Sequence, residues 1–123
     1  MTPAPLPAAL RAGASGILAD EAAVGLLITH ARWLDRADLT RFITVTVSAD
    51  AAIRTAALDW PAAIAALNAG DLPCSAGERR MLHLAASLAD HTAIHLGDTI
   101  TGLDHPNTQI LIQAIRHTAS DHQ

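Results

Sequence analysis

The sequence predicts an all-α or nearly all-α fold: a compact bundle of four to six helices, with a possible single short strand at 42–47. Three observations predict it. Half of the residues are apolar, and many of these are Ala and Leu, which lead the helix-propensity order. Four stretches combine apolar residues at helical spacing with a recognisable start or stop signal. Only one stretch, Ile43-Thr44-Val45-Thr46-Val47, is β-branched throughout and alternates with period two.

With 123 residues the chain has room for one domain. A chain of this size buries roughly two-thirds of its unfolded surface, so it needs no metal or disulfide staple. Large anchors are few: there is no Tyr, one Phe (Phe42) and two Trp (Trp33, Trp60). Residues 1–16 are rich in Pro, Ala and Gly and read as a flexible arm, with at most a short helical turn around Ala8–Ala12; residues 17–123 read as a single helical domain. This opening carries three prolines and no basic region, unlike a secretory signal. No apolar run approaches the roughly 18–20 residues of a membrane span. Together with the lone Cys74, which has no disulfide partner in the chain, this fits a reducing cytoplasmic setting.

The first long helix is expected from Asp20 to Asp35, with Asp20 as N-cap and Glu21 placing negative charge in its first turn. Its apolar positions, among them Leu26, Leu27, Trp33 and Leu34, span a broad arc. A short helix is expected at Asp38–Phe42. The strand-like run that follows has no evident partner in the chain, so it reads either as more helix or as an edge that pairs with a copy of itself. Ser48–Ala57 reads as another short helix. Asp59 to Ala69 is capped by Asp59, carries Pro61 in its first turn and stops at Gly70. Ser75-Ala76-Gly77-Glu78 is an S-x-x-E capping box opening a helix that runs to Asp90. His91–Leu103 is a connector or a short helix near Asp98–Thr101. The final helix opens near Asp104, with Pro106 in its first turn, and runs to Ala119.

The net charge is −4, and all eight cations are Arg. The acidic balance removes the general electrostatic pull on which nucleic-acid binding draws. Arg79, Arg80 and Arg116 remain the residues for a DNA-binding alternative, without interleaved aromatics to stack on bases. Seven histidines suggest a metal-dependent alternative through His83, His91 and His95, although the thiolates of structural zinc sites are missing. Ser87, His83 and Asp90 share one helix stripe, but a triad needs separate elements around an oxyanion hole, so a solvated face is the simpler reading. His30 sits within the apolar arc of its helix. No phosphate-binding Gly-rich loop or paired-carboxylate motif is present, and no cofactor is expected.

Leu72-Pro73-Cys74-Ser75, Ala85-Ala86-Ser87-Leu88-Ala89 and Thr101-Gly102-Leu103-Asp104 with Asn107 give the chain a further feature. With Trp33-Leu34 and Asp59-Trp60, these segments resemble a group of short actinobacterial proteins without an assigned activity. The resemblance implies a high-GC bacterial source and supplies no catalytic residue.

The expected function is a non-enzymatic, self-associating interaction or regulatory module, working as a homodimer, with an additional protein partner left open. The physical reason is surplus apolar surface. The first and last helices carry apolar arcs near 200°, against the roughly 100° that a surface helix needs, and exposed patches of that kind mark interfaces. The expected contact residues are Leu26, His30, Trp33, Ile112 and Ile115.

Overall fold

A computed structural model describes residues 6–50 and 53–119. They form a mostly helical structure with a small antiparallel sheet, in the order α1 (Leu6–Ala14), α2 (Leu18–His30), α3 (Ala37–Thr40), β1 (Ile43–Val47), β2 (Arg54–Leu58), α4 (Trp60–Asn68), α5 (Ala76–Asp90), α6 (Leu96–Thr101) and α7 (His105–Ala119). Seven helices stand where four to six are expected, because α3 and α6 are short and α1 lies inside the expected arm.

From Leu6 onward the expected flexible arm is a packed helix. Ala9, Leu10 and Ala14 of α1 are buried together with Val24 of α2 and Ala56 of β2. Ala-rich sequence gives the helix its backbone preference, and the small side chains allow close approach. Gly13 takes this furthest: a methyl group there would overlap the backbone carbonyl of Ala56.

α2 is the central element, packed against α1, α5 and α7. It begins two residues before the expected Asp20 cap. Ile17 is its N-cap and offers no side-chain hydrogen bond. Glu21 instead reaches back, and its Oε2 accepts from the Gly16 N–H at 2.9 Å. The helix ends at His30, short of the expected Asp35, because Ala31 adopts a left-handed conformation (φ 70°). That reversal turns Trp33 into the core, where it is wholly buried.

The strand at 43–47 has a partner in the chain, and the partner is the segment expected to be helical. β1 and β2 pair antiparallel with Ile43 opposite Leu58, Val45 opposite Ala56 and Val47 opposite Arg54. β2 reads Arg-Thr-Ala-Ala-Leu, which carries little strand preference of its own. Pairing with β1 and burial of Ala56 and Leu58 override local propensity.

The remaining elements follow their local signals. Asp59 caps α4 by accepting from the Ala62 N–H at 3.1 Å. Ser75 and Glu78 form the reciprocal capping box of α5: Ser75 Oγ accepts from the Glu78 N–H at 3.1 Å, and Glu78 Oε1 from the Ser75 N–H at 2.9 Å. Asp104 accepts from the Asn107 N–H at 2.9 Å at the start of α7. The main core gathers Trp33, Leu39, Leu67, Leu72, Met81 and Leu82 between α2, α4, α5 and α7. No helix among the described residues is long and apolar enough to cross a membrane.

Candidate functional site

The β1 edge is built from the hydrogen-bond register. Asp59 N donates to Phe42 O at 2.9 Å, and Ser48 N donates to Ile53 O at 2.8 Å. In an antiparallel ladder, bonded and non-bonded pairs alternate. Residues 42, 44, 46 and 48 therefore point their backbone groups at β2. Ile43, Val45 and Val47 point theirs outward, and no hydrogen bond reaches those groups from another described residue. The same parity turns the backbone of Ala56 away from β1, toward α1, where Gly13 meets its carbonyl. One outer edge of the sheet is thus covered and the other is open.

The open edge is also uncharged. Natural edge strands are commonly blunted by Lys, Pro, bulges or shortness; Ile-Thr-Val-Thr-Val has no charge, Pro or Gly. Its apolar face runs out of cover toward the hairpin end. Ile43 is partly buried, while Val45 is 39% and Val47 52% exposed. Thr44 and Thr46 form an exposed opposite face.

A second feature lies along α5. Ala76, Arg79, Arg80 and His83 fall at i, i+3, i+4 and i+7, one stripe of the helix. With the 93–99 segment they line a cleft of about 400 Å³. Arg79 donates to Leu67 O at 3.2 Å and to Asn68 Oδ1 at 3.0 Å, at the C-terminal end of α4. Arg80 donates to Gly102 O at 3.1 Å, just past α6. A side chain at position 102 would overlap the Arg80 guanidinium, so this glycine lets the group lie on the backbone. Burial, and secondarily Arg79, holds the His83 pKa below its ordinary value.

A third cleft, of about 500 Å³, opens between α1, α2 and α7. At its mouth Glu21 Oε1 meets His117 Nε2 at 2.7 Å. The Gly16 N–H, followed by His117, holds the Glu21 carboxyl below the usual carboxylate range.

The five expected contact residues separate. Trp33 is 0% and Leu26 2% exposed, both enclosed by their own chain and out of reach of a second copy. The wide arc of α2 is internal because three helices surround it, including the unexpected α1. His30 is partly buried, with its Nδ1 enclosed and without a hydrogen-bond partner among the described residues. Burial, then Arg32, lowers its pKa, against the opposing pull of Glu78 and Asp104. On α7, Ile112 is partly buried and Ile115 is 50% exposed.

Of the residues for the two alternatives, Arg79, Arg80, His83 and His95 line the α5 cleft, whereas Arg116 and His91 do not. No group of three or more His, Cys, Asp or Glu among the described residues is placed to hold a metal ion. Cys74 is partly buried, and its thiol is pushed up mainly by that burial. The β1 edge was visible in the sequence as β-branched alternation. The convergence of Arg79 and Arg80 with residues 93–99 had no local signal, since it depends on how the α5–α7 connector folds back.

No protein family, curated protein or solved structure matches this chain.

Proposed function

We propose that this chain is a self-associating interaction module whose partner is a second copy of itself, paired through the β1 edge. The observation that carries the reading is the outward set of backbone groups on Ile43, Val45 and Val47, left unbonded on an uncharged strand. The strand is self-complementary. About a two-fold axis at Val45, an antiparallel copy sets Ile43 opposite Val47 and Thr44 opposite Thr46. Opposed residues share a face, so apolar side chains continue across one face and threonines across the other. Symmetric pairing of the same patch is the commonest form of homo-oligomer. A five-residue edge buries a modest area, so the association is expected to depend on concentration.

Light scattering from micromolar concentration upward tests it. The mass is expected to rise from 12.8 kDa toward twice that value. Val45→Pro removes an outward N–H without touching the β1–β2 ladder and is expected to give a monomer with an unchanged circular dichroism spectrum. Thr46→Pro removes an inward N–H and is expected to disrupt the hairpin itself. A wild-type chain that stays monomeric throughout, or a Val45→Pro variant that still dimerises, would overturn the proposal.

A further inference from the structure

We infer that the cleft between α5 and residues 93–99 binds the phosphate group of a small phosphorylated molecule. Arg79 and Arg80 both line one cavity from a single helix stripe, and both guanidinium groups are held by neutral acceptors. Arg79 is tied to the end of α4 and Arg80 to the Gly102 carbonyl. Neither Arg79 nor Arg80 forms an ion pair with another described residue. A guanidinium carries five N–H donors, so each keeps donors for a ligand after these tethers are made.

Fixed, un-neutralised guanidinium groups suit an oxyanion, and the planar fork matches phosphate geometry. His83, His95 and the Thr99 hydroxyl add further polar groups, and Asp98 is the one carboxylate in the lining. Asp98 offsets part of the positive charge, so the two guanidinium groups and this carboxylate leave a net excess of positive charge for an anionic ligand. The volume of about 400 Å³ falls in the range of small-molecule sites. A nucleic-acid strand would need a longer positive track, and Arg116 is not in this cleft.

Titration of the labelled full chain with inorganic phosphate, followed by amide NMR, tests the inference, with glycerol phosphate as the ester arm. Saturable shifts are expected at Ala76–His83 and Ala93–Thr99, with the ester binding at least as tightly as the free ion. Bound phosphate is also expected to raise the His83 pKa, because a negative ligand offsets the field of Arg79. Arg80→Gln is expected to weaken binding roughly tenfold or more. Gly102→Ala displaces the Arg80 guanidinium without removing its charge and is expected to weaken binding with little loss of stability. This second variant separates loss of the site from loss of the fold. A titration without saturation into the high millimolar range would overturn the inference. So would shifts indifferent to Arg80→Gln and Gly102→Ala, or tighter binding of duplex DNA that requires Arg116.

Discussion

The indole Nε1 of Trp33 donates to the backbone carbonyl of Glu78 at 2.8 Å, joining positions 45 residues apart. The bond ties the turn after α2 to the first turn of α5. Glu78 holds the same turn through its capping box with Ser75, and Arg36 lies over the indole ring at 4.4 Å from its centroid. Trp33 is the largest of the wholly buried side chains.

Two substitutions separate the volume of Trp33 from its hydrogen bond. Trp33→Ala is expected to cost about 3–5 kcal/mol, from lost burial and the cavity left behind. Trp33→Phe keeps most of the apolar contact but removes the donor, and is expected to cost about 1–2 kcal/mol. Denaturant unfolding measures both. Equal losses in the two variants would show that the donor, rather than the volume, dominates.

Gly13 and Gly25 make a matched pair, since both lie inside helices. Gly13→Ala drives a methyl into the Ala56 carbonyl and is expected to destabilise by about 1–3 kcal/mol, despite alanine's better helix propensity. Gly25 has nothing within 4 Å of the position a Cβ would take. Gly25→Ala is therefore expected to stabilise by up to about 1 kcal/mol. Thermal unfolding of the two variants should move in opposite directions.

The stability of the fold is expected to fall as the medium is acidified below neutrality, in part through His30. Burial and Arg32 lower its pKa below the ordinary 6.5, with Glu78 and Asp104 opposing. The folded chain then binds fewer protons at this site than the unfolded chain. Its contribution is present above 6.5 and is lost as pH falls through that value toward the folded pKa. His83 is shifted in the same direction. His30→Gln should flatten the dependence of unfolding free energy on pH between about 7 and 5. An unchanged slope would remove His30 from the account.

The elements legible in the sequence are those whose signal is local. Ser75 and Glu78 define the start of α5 within four residues, and Asp59 with Pro61 does the same for α4. β2 and α1 were not legible, because each depends on the other. Arg54–Leu58 is a strand because β1 pairs with it and α1 covers it; Leu6–Ala14 is a packed helix because β2 gives it something to cover. The same α1 accounts for the width of the α2 arc. The apolar surface around Leu26 is covered by internal neighbours, α1 among them, and α1 has no strong signal of its own in the sequence. Trp33 is turned inward by the left-handed Ala31, a reversal that helical periodicity does not encode. β1 is legible as a possible strand because Ile43–Val47 carries its alternation within five residues.

In the pairing proposed above, the seal that α1 places on β2 at Ala56 would govern stoichiometry as well as stability. A sheet with one free border can join one other such sheet and then has nothing left to offer, so assembly ends at a closed pair. A chain stripped of that helix would present two borders, and each added subunit would regenerate a growing end, the geometry of a fibre. In that pairing the first helix would act as a chain terminator, and Gly13 is what lets it sit close to Ala56.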